Sequence, residues 1–259
     1  MSGSSANLEL REVTVRFAGL VALDGVSLSA PQGRVTGVIG PNGAGKTTLF
    51  NVVCGFVRPV SGEVRWRGRV LGRHRPHDLT RLGIARTLQG LGLFPGLTVL
   101  ENVMVGADRH ARAGFWSGLL ALPRGDRDEA ALRERAIARL AELGVEGEAH
   151  RLSGQLPYGV QKRVALARAL VAEPDLLLLD EPAAGLSAAE MDELAELIRG
   201  LRGGPAVVLV EHHMDLVMSV CDQVVVLDFG KVIASGAPAE VRDDPAVLDA
   251  YLGEEVASA

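Results

Sequence analysis

Two short segments of this chain carry side chains suited to handling phosphate. The first is Gly40-Pro41-Asn42-Gly43-Ala44-Gly45-Lys46-Thr47-Thr48, with the spacing Gly-x4-Gly-Lys-Thr. Glycines at these positions let backbone N–H groups turn inward around the β- and γ-phosphates, Lys46 adds a point charge, and the Thr47 hydroxyl can bind Mg²⁺. The second is Leu176-Leu177-Leu178-Leu179-Asp180-Glu181, an apolar run ending in two adjacent carboxylates. A buried strand here delivers Asp180 toward the metal's outer shell and Glu181 toward a water that attacks the γ-phosphate in line. The loop alone fits kinases, GTPases and many ATPases. The carboxylate pair after it points to transfer of the phosphoryl group to water.

The elements that must hold these groups are legible in the pattern. Val35–Ile39 is a short apolar strand running into the loop, and Leu49–Cys54 follows at helical spacing, so the order is strand, glycine loop, helix. Leu8–Phe17 alternates apolar and polar residues and Val26–Leu28 repeats the pattern, which predicts antiparallel strands at a sheet edge. Glu63–Trp66 and Ile84–Leu88 read as further strands with a short helix at Pro76–Leu82 between them. From Gln89 to about Ala172 helix signals dominate: Thr98-Val99-Leu100-Glu101 is a capping box, and Glu129–Leu143 places Ala131, Leu132, Ala136, Ile137, Leu140 and Leu143 on one stripe. The α/β rhythm then returns with Leu176–Leu179, a helix opened by the Ser187 capping box, the strand Ala206–Val210 and a closing hairpin, Val224–Leu227 with Val232–Ser235. Asp244-Pro245 caps a last helix. The expected fold is one α/β domain over 1–259, with an antiparallel edge subdomain, a helical subdomain inserted near 90–172 and a helical tail at 236–259.

Composition narrows the partners. The chain has 259 residues, 47% hydrophobic and only 4% aromatic, which suits an aliphatic parallel sheet under helices. Its formal charge of −5 lacks the basic footprint of a phosphate-backbone binder, so no nucleic acid is expected. Cys54 and Cys221 lie far apart with no metal-ligand spacing, which fits a reducing cytosol. No basic n-region opens the chain and no window approaches the length of a spanning helix, so any service to a membrane is expected to run through a partner. His74-x-x-His77-Asp78 reads as an exposed loop, and the apolar segment Gly114–Leu120 as local core.

With the loop and the carboxylate pair in order, the chain from Leu8 to Leu252 resembles the ABC ATPase family, a P-loop NTPase fold. The resemblance implies that Phe17 stacks on adenine, that Gln89 senses Mg²⁺ and the γ-phosphate, and that His212, at the end of the strand Val207–Val210, is the switch histidine beside His213. It also implies a signature segment that covers the nucleotide of a second subunit. Leu152-Ser153-Gly154-Gln155 looks like a shortened signature, but Arg163 lies 17 residues before Asp180, the family's spacing for the arginine after the motif. The signature is therefore assigned to Leu156-Pro157-Tyr158-Gly159-Val160, followed by a helix over Gln161–Leu170. Tyr158 and Gly159 are then the contacts to nucleotide, and Ser153→Ala is expected to change little. Proline stands here where serine is usual, and Ser187 where an aspartate is usual.

Leu156–Gly159, Asp180–Leu186, Glu211–Met218 and Tyr251–Glu254 together are similar to the ATP-binding subunits of branched-chain amino-acid importers. That resemblance implies ATP and Mg²⁺ as ligands, a second ATP-binding subunit in a homo- or heterodimer, integral-membrane permease subunits, and indirectly a solute-binding protein. It implies a peripheral place on the cytoplasmic face of the cell membrane, with the permease contact expected around 89–99. Two alternatives stay open: a low-activity nucleotide-binding partner in a heterodimer, and a soluble ABC ATPase outside transport.

Overall fold

Two sheets divide the strands of the computed structural model, which describes residues 6–87, 90–107 and 123–257. The first is antiparallel, in the order β2 (Leu20–Pro31), β1 (Ala6–Phe17), β4 (Ser61–Trp66), β5 (Arg69–Val70). The second has six strands in the order β10 (Lys231–Gly236), β9 (Gln223–Asp228), β3 (Val35–Ile39), β8 (Ala206–Val210), β7 (Leu176–Asp180), β6 (Ile84–Arg86). All its pairs are parallel except β10 with β9. β3, β7 and β8 are buried along their whole length, which is why they read as unbroken apolar runs rather than alternating ones.

The two faces of this sheet serve separate cores. Leu176 and Leu178 pack with β1, β2 and the loop-following helix α1 (Lys46–Val53), while Leu177 and Leu179 pack with the helices inserted between β6 and β7. Those helices are α3 (Val99–Gly106), α4 (Pro123–Glu142) and α5 (Tyr158–Leu170), α2 (Leu79–Leu82) lying before β6. Thr98 caps α3 as expected, its hydroxyl accepting from the Glu101 N–H at 3.2 Å. In α4 the buried stripe is narrower than the sequence pattern suggests. Ala136 and Leu140, with Leu143 just after the helix, are buried, but Ala131 and Ile137 face solvent, because a spacing of four, then three, leaves them at the stripe's margins.

Beyond β7 come α6 (Ala188–Gly200), capped by Ser187, α7 (Met214–Val220), and the two proline-initiated helices α8 (Pro238–Arg242) and α9 (Pro245–Ala257). α7 starts directly after His213 and, at seven residues, is too short to carry a periodic signal of its own. His74 is not simply loop surface: its Nε2 lies 2.9 Å from the Val53 carbonyl and its ring closes over Gly55, pinning the end of α1. Gln89 and the segment Gly114–Leu120 lie outside the described residues.

Candidate functional site

Parallel pairing brings the chemistry to one edge. Val38 of β3 pairs with Val210 of β8, and Val210 with Asp180 of β7, so the glycine loop, the carboxylate pair and Glu211-His212 all leave the carboxyl ends of neighbouring strands. Ligands of open α/β sheets bind outside such ends. Strands about 4.8 Å apart put β3 and β7 roughly 10 Å from each other, the scale of a triphosphate with its metal.

The loop is built by close backbone approach. A Cβ on Gly40 would lie 2.0 Å from the Leu227 carbonyl oxygen and one on Gly45 2.7 Å from that of Ala22, and both residues have positive φ, 147° and 108°. Only glycine satisfies both demands. Gly45 N-caps α1 without a side chain, so the first N–H groups of the helix keep their capacity for an anion. Lys46 is buried, and its Nζ donates to the carbonyls of Gly40 at 2.5 Å and Pro41 at 2.8 Å, wrapping the loop around its own cation. Ala44 is packed inside, Pro41 and Thr48 are half-buried, and Asn42, Gly43 and Thr47 are more open.

Asp180 is 5% exposed and ion-paired at 2.7 Å with Arg86, which also donates to Asn51 Oδ1 at 3.0 Å and lies over the Phe50 ring. Burial lowers the basicity of this guanidinium, but the hydrogen bond and charge of Asp180 and the neighbouring Cys54 outweigh it and hold it above its ordinary value. The backbone N–H of Asp180 donates to Thr87 Oγ1 at 3.3 Å. Thr47 and Asp180 offer a hydroxyl and a carboxylate, hard oxygen donors without thiolate or imidazole, a set that fits Mg²⁺.

Glu181 follows in the left-handed region, φ 47°, unusual for a side-chain-bearing residue and costing about 1–3 kcal/mol. The strain is held by three contacts. Its N–H donates to the Val210 carbonyl at 2.9 Å, and Lys162 Nζ donates to the carbonyls of Glu181 at 3.2 Å and Pro182 at 2.9 Å. Burial lowers the Lys162 pKa, partly offset by the charges of Glu211 and Glu181. Glu211 is fully buried, accepting from the N–H groups of Ala183 (2.7 Å), His212 (3.0 Å) and His213 (3.3 Å). This carboxylate therefore fixes both the turn after Glu181 and the start of the histidine pair. His212 is exposed, its ring 4.2 Å from that of His213, and Phe17 is exposed at the end of β1.

Tyr158 and Gly159 open α5, whose N-cap is Pro157, again with no side-chain cap. Tyr158 is exposed, its ring packed against Gly185 and under Lys162 Nζ, 5.3 Å from the ring centre. Gly159 is buried beneath the Glu190 side chain, whose carboxylate would have to swing aside for a Cβ at this position. Ser153 corrects an expectation. It is fully buried, donates to the Phe94 carbonyl at 2.9 Å and accepts from Asn102 Nδ2 at 3.1 Å, so Ser153→Ala removes a structural knot rather than an idle hydroxyl.

Arg86, Lys162 and Glu211 escape a sequence reading as parts of the site. Each leaves a faint mark, a charge set against apolar strand or helix residues: Ile84-Ala85-Arg86, Gln161-Lys162-Arg163 before Val164, and Val210-Glu211. Their partners lie 94, 19 and 28 residues away, beyond any periodic signal.

Comparison with known proteins gives the family. Residues 23–184 match the ABC transporter family, and residues 231–257 match the branched-chain amino acid ATP-binding cassette transporters. The chain is 43% identical to the high-affinity branched-chain amino acid transport ATP-binding protein BraF of Pseudomonas aeruginosa, over 95% of this chain and 98% of that one. It is 39% identical to LivG of Escherichia coli, a protein of the same description, with the same coverage. Among solved structures it is similar to an ATP-binding cassette of an ABC transporter in its ADP conformation, with 32% identity, a TM-score of 0.82 and coverage of 96% and 99%.

Proposed function

This chain belongs to the ABC transporter family, and on that premise we propose that it binds and hydrolyses Mg·ATP as the ATP-binding subunit of an importer for branched-chain amino acids or related small solutes. The observation that carries the hydrolytic reading is the placement of Glu181, strained and clamped, beside the buried Asp180 at the edge where the loop opens. Lys46 and the loop N–H groups bind the phosphates, Thr47 and Asp180 hold Mg²⁺, which when bound neutralises phosphate charge, and Phe17 stacks on adenine. Glu181 orients and deprotonates the attacking water. His212 contacts the γ-phosphate from a backbone that Glu211 holds in place. Gln89 completes the site by sensing metal and γ-phosphate. Tyr158-Gly159 meets the nucleotide of a second ATP-binding subunit through the uncapped start of α5. ATP closes the pair and hydrolysis reopens it, a stroke delivered to the permease.

No helix among the described residues is long and apolar enough to cross a membrane, so the stroke must pass through a contact surface. A groove of about 310 Å³ between the sheet and the inserted helices, lined by Phe56, Leu79, Arg86, Gly106, Arg168 and Pro174, supplies one. Phe56 is 60% exposed there, and Arg168 donates to the carbonyl of Gly92 at 2.5 Å, tying the groove to the loop that follows Gln89. A cytoplasmic segment of the permease occupies this groove and places the subunit on the inner face of the membrane. The test of the hydrolytic reading is Glu181→Gln, expected to keep ATP affinity and to lower turnover by at least about 10²-fold. Near-normal turnover in that variant sinks it.

A further inference from the structure

We propose that Arg86 is a positioning residue for Asp180, supplying the positive charge that holds this buried carboxylate in place before the metal arrives. The inference rests on the reading of Asp180 as the metal carboxylate. Asp180 is all but removed from water, and a carboxylate in that position demands a partner charge. The structure provides one: Arg86, whose side chain is 12% exposed, donates to Oδ2 at 2.7 Å.

Arg86 is itself oriented. Its second terminal nitrogen donates to Asn51 Oδ1 in α1 and lies 3.8 Å from Cys54 Sγ, and its Cζ lies 5.5 Å from the centre of the Phe50 ring. One guanidinium thus joins β6, α1 and β7, the three elements that carry the approach to Gln89, the end of the phosphate loop and the metal carboxylate. The Thr87 hydroxyl beside it accepts from the Asp180 N–H, so two consecutive residues at one strand end set both the backbone and the carboxylate of Asp180. Arg86 also lines the groove proposed for the permease.

A cation and a guanidinium on one carboxylate are alternatives in charge. Removing the Arg86 charge leaves a buried carboxylate uncompensated, which costs stability, and Mg²⁺ bound with ATP restores what was lost. A residue that merely packs would show no such exchange.

The test is thermal melting of the full chain with saturating ATP, in EDTA and in Mg²⁺, for the wild type, Arg86→Gln and Arg86→Lys. In EDTA, Arg86→Gln is expected to melt roughly 5–15 °C below the wild type, the range for breaking a buried pair in a chain of this size. Mg²⁺ should raise its melting point by clearly more than it raises that of the wild type, and Arg86→Lys, which keeps the charge, should follow the wild-type pattern. An equal deficit for Arg86→Gln in both media overturns the inference while leaving the metal reading intact. If Mg²⁺ adds nothing even to wild type with ATP, the metal reading of Asp180 fails first. Should Arg86→Gln be unfolded in EDTA, refolding in Mg·ATP supports the inference and failure to refold there overturns it.

Discussion

The carboxyl edge of the parallel sheet and the start of α5 solve different problems. At the edge strand register places the backbone: Val38, Val210 and Asp180 form one row, and the glycine loop and Glu181 leave from its ends, with Arg86, Lys162 and Glu211 then holding the side chains and turns. The geometry there comes from one chain. The start of α5 has no such frame. It is set by side chains, with Lys162 reaching to the Glu181 turn and Gly159 seated under Glu190. Yet no side chain of the described residues caps its helical N–H groups. On the function proposed above, the sheet edge preorganises a site that binds nucleotide alone, whereas the start of α5 is the half of a site that closes with a second subunit.

Substitutions that separate the two regions sharpen this contrast. Lys46→Ala acts on the edge alone and, if the proposed phosphate role of this buried charge holds, should weaken ATP binding to the isolated chain about 10²-fold, read by titration with a fluorescent ATP analogue. Unchanged affinity would count against the loop. Lys162→Met cuts the strut between the regions. It should lower turnover about tenfold or more by freeing the Glu181 turn, while ATP affinity stays within about twofold, since a small misplacement of a reacting group is costly in rate and not in binding. Equal losses in both quantities would show that Lys162 only stabilises the fold. Ser153→Ala should leave ATP affinity and turnover per folded molecule alone and cost about 1–3 kcal/mol of stability, because the Phe94 and Asn102 groups lose their buried partner. A dead enzyme with unchanged melting would move the signature to Ser153-Gly154.

The same contrast explains what the sequence makes legible. Val35–Ile39 and Ala206–Val210 can be read to the residue, since strands buried on both faces show as apolar runs bounded by glycine and charge. Capping boxes at Thr98 and Ser187 are equally plain because their partners lie three residues away. α5 begins at Tyr158 rather than the expected Gln161, as proline at its N-cap looks like a break before it looks like a start. Arg86, Lys162 and Glu211 find their partners only in three dimensions. A buried ion pair across 94 residues has no local pattern to betray it.

The helix start itself offers the most direct test. Pro157 sits at the N-cap with extended ψ of 149°, where serine and aspartate are both good caps, so Pro157→Ser and Pro157→Asp should each preserve or raise the melting temperature. They differ in what they would present to the phosphate of the proposed second subunit: serine restores a donor hydroxyl and aspartate brings a like charge. The decisive measurement is the turnover of these two variants beside their ATP affinity as isolated chains. Affinities are expected to match the wild type, with Pro157→Ser turning over at least about tenfold faster than Pro157→Asp, a charge-assisted hydrogen bond in the one set against a repulsion in the other. Equal turnover in the two variants would contradict a signature that reaches across to another subunit's nucleotide.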